Sequence, residues 1–132
     1  MKLEDVARVQ GAVWLLSGLW PIVHLRSFEA ITGPKPEGWL VKTVGSLIAV
    51  QGATLLLAAR RRRITRELAT GSALAAVALA AVDVWYAGAR RRISPVYLLD
   101  AILEGGLAAG WLLAERGSPA GASDRIGEHP AP

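Results

Sequence analysis

The 132-residue chain contains no cysteine. This absence excludes disulfide bonds, thiolate metal sites and thiol chemistry, and it leaves the redox compartment undetermined. The first residues, MKLEDVARVQGAVW, also lack the short apolar core and the small-residue cleavage site of a secretory signal. We therefore expect the N-terminal segment to remain in the protein as a first apolar span.

Charge is scarce within four long apolar stretches. Apolar residues make up 52% of the chain, and its mean hydropathy is +0.34. The charges cluster in the arginine runs 60–63 and 90–92 and at the two ends, leaving stretches of about twenty residues, long enough to cross a bilayer. The pattern predicts an all-α integral membrane protein, a four-helix bundle with antiparallel, up-down topology.

The spans can be placed from these boundaries. The bundle is predicted over residues 1–116, with spans at about 6–25, 39–59, 68–87 and 93–114. Residues 117–132 are rich in Gly, Ser, Ala, Pro and charge, and we expect a disordered tail. On the fourth span, Gly106 and Gly110 have the spacing of a small-residue packing motif, which favours a close contact with another helix of the bundle over a dimer interface.

The segment between the first two spans is predicted to be a loop. Gly33 and the prolines that follow it interrupt helical structure within residues 26–38. Phe28 and Ile31 are expected to hold this loop on the membrane surface.

Membrane orientation follows from the positive charges. The side that holds the termini and the second connection carries nine Lys and Arg residues, against six on the other side. The positive-inside rule therefore predicts that both termini are cytoplasmic, and the Ala-, Arg- and Gly-rich composition suggests a bacterial inner (plasma) membrane. A pI of about 10.1 is also typical of nucleic-acid-binding proteins. However, arginines at the ends of apolar segments indicate topology and contact with membrane lipid, so we expect no nucleic-acid partner.

Five ionisable residues are predicted to lie in one leaflet. Asp100 and Glu104 are four residues apart and share a helix face, and a carboxyl group within a span marks a functional site by default. A rise of about 1.5 Å per residue places Asp83, Lys42 and His24 towards the same end of the bundle. Lys42 and Asp83 match best in depth and are predicted to pair. Asp100 and Glu104 are like charges on one face, so at least one of them is expected to be protonated near neutral pH, and the deeper Glu104 is the better candidate.

Further polar and aromatic residues allow two interpretations. Gln51 falls near the bilayer middle with Glu104, and Trp20, Trp85 and Tyr86 lie towards the same end as the acids. These rings form either an interfacial aromatic belt or part of a pocket wall, where a ring beside a carboxylate suits an organic cation. The buried polar groups can likewise serve only to fix helix packing, and Lys42 and His24 lie close enough to the interface to snorkel.

The first span carries an arginine followed by spaced glycines, Arg8-Val-Gln-Gly11 and then Ser17-Gly18. Together with the four-span plan, this pattern resembles the DoxX-like group of small membrane proteins. The resemblance implies an accessory membrane subunit tied to redox or stress functions, with no catalytic residues to carry over.

Three functional hypotheses follow. The first is a module that binds or transports a proton, an organic cation or a polar lipid group, its ligand being a small cationic or amphipathic molecule. The second is an accessory or assembly subunit of a larger membrane complex, or a homodimer. The third is an intramembrane acid/base enzyme that uses Asp100 or Glu104 with His24. The predicted ligand-binding residues are Asp83, Asp100, Glu104, Lys42, His24, Gln51, Trp20, Trp85 and Tyr86.

No motif in the sequence specifies a nucleophile, a metal or a cofactor. His24 is a lone intramembrane histidine without an evident second axial ligand for haem. We therefore assign no catalytic residue, no metal ligand and no cofactor.

Overall fold

The computed structural model describes residues 2–89 and 95–117, and it shows an all-α protein. Four long helices are each long and apolar enough to cross a membrane, which confirms the predicted four-helix membrane bundle. Residues 118–132 of the predicted tail lie outside the described residues, and so do residues 93 and 94 at the start of the predicted fourth span. The elements are α1 (Leu3–Val23), α2 (Leu25–Thr32), α3 (Gly38–Arg60), α4 (Arg66–Asp83), a π-helical segment (Val84–Ala89) that extends α4, and α5 (Val96–Arg116).

The long helices run alternately up and down, so the bundle has two distinct ends. At one end, here called the termini end, α1 begins, α5 ends, and residues 61–65 connect α3 to α4. At the other end, here called the α2 end, the short helix α2 joins α1 to α3, and α5 begins.

Helix α2 is the clearest departure from the sequence prediction, which assigned residues 26–38 to a loop. His24 leaves the helical conformation (φ −149°, ψ 84°), and its ring nitrogen Nδ1 accepts a hydrogen bond from the backbone N–H of Ser27. This side-chain cap starts a new helix at once, because it satisfies a donor that the first turn leaves free. The helix ends at Gly33, whose φ of 93° a residue with a side chain rarely adopts.

Helices α1 and α3 pack through two pairs of glycines. A Cβ atom added at Gly45 would lie 2.6 Å from the carbonyl oxygen of Gly18, and one added at Gly52 would lie 2.7 Å from that of Gly11. The glycines of each helix are seven residues apart, so they lie two turns apart on the same face. Only glycine permits this backbone contact, as in other membrane helix pairs.

The predicted contact at Gly106 is not present among the described residues. A Cβ atom added at Gly106 would meet nothing within 4 Å, and the same is true of Gly105. Gly110, in contrast, is buried. The close packing motif of this bundle therefore lies between α1 and α3 and not on α5.

The four long helices meet most closely towards the termini end. One core cluster there contains Leu55 and Ala59 of α3, Ala69 of α4 and Trp111 of α5, together with residues of α1. The most extensive packing joins α1 to α3 and α4 to α5, while α1 also contacts α5. Helices α3 and α4 thus converge near their short connection but make no extensive contact along their length, which leaves space between them at the α2 end.

Candidate ligand-binding cavity

A cavity of about 590 Å³ occupies this space between the helices at the α2 end. Its walls come from all four long helices, and α2 and the residues after it contribute to its outer part. Most of the wall is apolar, and three carboxylic acids project among the apolar groups. The lining residues that matter for its chemistry are Trp14, Trp20, Phe28, Lys35, Asp83, Tyr97, Asp100 and Glu104.

Glu104 and Trp14 join α5 to α1 at the deep side of the cavity. Glu104 is only 2% exposed, and its Oε1 atom accepts a hydrogen bond of 2.8 Å from the indole N–H of Trp14. The other oxygen, Oε2, is buried and has no hydrogen-bond partner among the described residues. Trp14 therefore holds Oε1 in place, while Oε2 remains available to another donor. Leaving such a buried polar atom without a partner costs free energy.

Asp83 and Asp100 form the second acidic part of the site. Asp83 ends α4 and is 7% exposed, and its Oδ2 atom is also buried without a hydrogen-bond partner in the described ranges. The carboxyl groups of Asp83, Asp100 and Glu104 lie close enough together to interact electrostatically. Three acids from two helices therefore act on one small volume.

Lys35 is the one basic side chain among the described residues that line the cavity. Its ammonium group donates a hydrogen bond of 2.9 Å to the carbonyl oxygen of Thr32 and lies 5.0 Å from the centre of the Tyr97 ring. This lysine therefore binds a backbone oxygen and an aromatic face. Within residues 2–89 and 95–117, the observed ion pair is Asp5 with Arg8, on the surface. The three acids of the cavity have no basic partner within 4 Å there.

Lys42 does not provide the counter-charge that the sequence analysis assigned to it. Its side chain is exposed and does not line the cavity. The depth arithmetic placed Lys42 and Asp83 at similar heights, but it said nothing about the direction in which each side chain points. The cavity face of α3 carries Val41, Val44 and Ile48, and Lys42 lies about 100° away from Val41 around the helix axis.

Some of the other predicted site residues line the cavity, and others do not. Trp20 lines the cavity, where its ring packs edge-on against Phe28 with centroids 5.4 Å apart. Trp85 and Tyr86 are exposed on the π-helical segment and do not line the cavity. His24 is also exposed, because its role is to cap α2, so it is not beside Asp100 or Glu104 as the acid/base enzyme hypothesis requires.

Gln51 belongs to a separate group, here called the glutamine network, which consists of Gln10, Gln51, Ser72 and Trp111. The amide of Gln10 donates to the carbonyl oxygen of Ser72 at 3.2 Å and accepts from the indole N–H of Trp111 at 2.7 Å. Gln51 donates to the Ser72 hydroxyl at 3.3 Å. The network therefore connects all four long helices, and it lies nearer the termini end than the cavity.

Four of the lining residues named above were absent from the predicted site, namely Trp14, Phe28, Lys35 and Tyr97. A signal for Trp14 was available, since Gln10, Trp14, Gly18 and Pro21 recur at helical spacing and form the buried face of α1. Lys35 and Tyr97 gave no such signal, because their contact depends on how α2 folds back towards α5.

The arrangement favours an organic cation over a metal ion. In the part of the chain that the structure describes, no group of three or more His, Cys, Asp or Glu residues is placed to hold a metal. The carboxyl groups instead line an apolar volume with aromatic rings in its wall. Such a volume accommodates a ligand with both a charged and an apolar part.

No family model matches the chain, and neither a curated protein nor a solved structure matches it. The resemblance to the DoxX-like group therefore stays a prediction.

Proposed function

We propose that this membrane protein binds an organic cation in the cavity, with Asp83, Asp100 and Glu104 as its charge partners. The observation that carries the proposal is the pair of buried carboxyl oxygens without partners, Oδ2 of Asp83 and Oε2 of Glu104. A carboxylate in an apolar interior is stable only when it is paired and hydrogen-bonded. A bound ammonium group supplies both the charge and the donors.

The aromatic wall supports a cation as the ligand. Trp14, Trp20, Phe28 and Tyr97 line the same volume as the acids. The face of an aromatic ring attracts a cation by about 0.5–2 kcal/mol, and the attraction is larger when the cation is desolvated. Lys35 already occupies the face of Tyr97, which leaves the other rings for the ligand.

The positive charges of the chain support an orientation for the site. With nine Lys and Arg residues on the termini side against six on the other, both termini face the cytoplasm of a bacterial inner membrane in this proposal. The cavity then lies in the outer half of the bilayer. A protein that carries its ligand across the membrane would use the same three acids for the first binding step.

Binding of benzylammonium, which carries both the positive charge and N–H donors, tests the proposal. It is measured by isothermal titration calorimetry on the purified protein in mild detergent. We expect the native chain to bind this cation and Glu104→Gln to weaken binding at least tenfold, which corresponds to about 1.4 kcal/mol. Asp100→Asn is expected to act in the same direction. The matched control is Glu67→Gln, because Glu67 is an exposed acid in the first turn of α4.

Two outcomes would contradict the proposal. In the first, ethylbenzene, the uncharged isostere of the probe, binds the native chain as tightly as the cation does. In the second, Glu104→Gln and Asp83→Asn keep the native affinity. Native mass spectrometry of the same preparation detects the alternative, a stoichiometric protein partner or a second copy of the chain. The observation that favours this alternative is the pair Gly105 and Gly106, which leaves open space on α5 that another helix can fill.

A further inference from the structure

Helix α2 and Lys35 cover part of the cavity at the α2 end, although Ile31 in this cover is 55% exposed. Helix α2 packs against α1 and contacts α5, and its residues Phe28, Ile31 and Thr32 form part of the wall. Lys35 continues this cover by donating to Thr32 and lying over the ring of Tyr97 on α5. A ligand that came straight from the aqueous phase at this end would have to pass this cover.

Three sides between the helices are closed. The glycine contacts of Gly18 with Gly45 seal α1 against α3 at the level of the cavity. The hydrogen bond between Trp14 and Glu104 joins α1 to α5, and α4 packs extensively on α5.

The remaining side, between α3 and the α4/α5 pair, is open in the part of the chain that the structure describes. Helix α3 makes no extensive contact with α4 or α5 there. Leu40 and Val44 of α3 line the cavity and are nevertheless 47% and 45% exposed. Leu99 and Leu103 of α5 behave alike, with 66% and 40% exposure. Each pair is four residues apart and forms a stripe along its helix, so the two stripes border a lateral opening.

This opening lies within the membrane-spanning part of the bundle, so it faces the hydrocarbon region of the bilayer. A ligand that passes between two apolar stripes must itself be apolar along part of its length. The acids at the inner end of the same passage require a positive charge at the end that arrives there. A charged group pays a large desolvation cost on this route, and an alkyl chain that stays in the hydrocarbon region offsets part of this cost.

We infer that the ligand is a single-chain cationic amphiphile that enters sideways from the membrane. The inference rests on the proposed function, since the ammonium head lies at Asp83, Asp100 and Glu104. The chain then runs outwards between the stripes Leu40/Val44 and Leu99/Leu103. A cavity of about 590 Å³ is within the range of pockets for drug-sized ligands, which suits one head group with one chain.

Photo-cross-linking locates the chain directly. The probe is dodecylammonium with a diazirine on the fifth carbon from its nitrogen, added to the protein in phosphatidylcholine vesicles, and the labelled residues are identified by mass spectrometry. We expect labels at the two stripes, and we expect these labels to fall at least about tenfold in Glu104→Gln and in Asp100→Asn. Leu112 is an exposed residue of α5 that does not line the cavity, so its labelling is the internal reference.

The outcomes separate this inference from the proposed function. If benzylammonium binds through the acids but the stripe labels do not depend on Glu104, lateral entry is wrong and the cation site stands. Acid-dependent labelling of Phe28 and Ile31 instead of the stripes also overturns the inference, because the chain would then leave through α2. If neither probe responds to the acid substitutions, both proposals fall. The variant Glu67→Gln is expected to keep the native labelling pattern.

Discussion

The glutamine network and the acidic cavity are two buried polar groups in one bundle, and they differ in how completely their atoms are paired. In the network, the side-chain oxygen and nitrogen of Gln10 each have a partner on another helix. In the cavity, Asp83 and Glu104 each keep a buried oxygen without a partner. Burial alone therefore does not distinguish a packing device from a binding site. The number of unsatisfied polar atoms distinguishes the two, because an unsatisfied buried atom destabilises a group that serves only to fix packing.

The helix arrangement explains why the two groups differ. The network lies where α3 and α4 converge, so the side chains of Gln10 and Gln51 each reach a hydrogen-bond partner on another helix. The cavity lies where the same two helices have separated, and only Trp14 reaches across to Glu104. The comparison predicts opposite responses to substitution, with stability affected at one group and ligand binding at the other.

The largest effect is expected from a change that disrupts the frame around both groups. Gly45→Leu places a side chain against the backbone of Gly18, which cannot move without separating α1 from α3. We expect a loss of at least about 3 kcal/mol in the free energy of unfolding, at the upper end of what overpacking usually costs. Thermal unfolding followed by circular dichroism in detergent measures it. Gly106→Leu is the control, since nothing lies near Gly106, and an equal loss there would refute the packing argument.

A smaller effect is expected from breaking the paired group alone. Gln10→Leu removes two hydrogen bonds and leaves the indole N–H of Trp111 buried without an acceptor. Interhelical hydrogen bonds in membranes contribute about 0.6–2 kcal/mol, so we expect a loss of about 2 kcal/mol in unfolding free energy. Thr54→Val is a suitable control, because the Thr54 hydroxyl is exposed and bonds only within its own helix. Unchanged stability in Gln10→Leu would show that the network is dispensable.

The smallest effect on stability is expected at the unpaired group. Glu104→Gln keeps an acceptor for the indole of Trp14 and replaces a carboxyl oxygen that has no partner. We therefore expect the unfolding free energy to change by less than about 1 kcal/mol, in either direction. The same thermal unfolding measurement in detergent, made without added ligand, checks this. A loss as large as that of Gln10→Leu would mean that Glu104 is itself a packing residue, and it would remove the contrast between the two groups.

The sequence predicted the position of the polar residues along the bundle axis well. It predicted poorly the direction in which each side chain points around its helix. Hydropathy and arginine runs were sufficient for the four spans, because bilayer thickness fixes helix length. The rise per residue placed Asp83, Asp100 and Glu104 at one end of the bundle, and the structure brings all three to one cavity. The same rise placed Lys42 there too. Its side chain points elsewhere, because rotation around the helix axis depends on which face packs, and depth carries no information about that.

Packing faces were harder to predict than spans. Gly106 and Gly110 fit a known spacing but leave Gly106 uncovered, whereas the glycines that do pack recur at a spacing of seven on both α1 and α3. Only the comparison of two helices reveals this match. The helix α2 was missed for a different reason. Its start depends on a side-chain cap from His24. The prolines after Gly33 indicate only where helical structure ends, not where it begins.

The glycine contacts between α1 and α3 also bear on how the protein is made. Both helices precede the connection 61–65, so their interface needs nothing from α4 or α5. During translation, this pair can associate in the bilayer while the second half of the chain is still on the ribosome. The α1/α3 pair then offers Trp14 and Gln10 as preformed attachment points when Glu104 and Trp111 arrive on α5. The order of synthesis thus matches the order in which the bundle's interfaces can form.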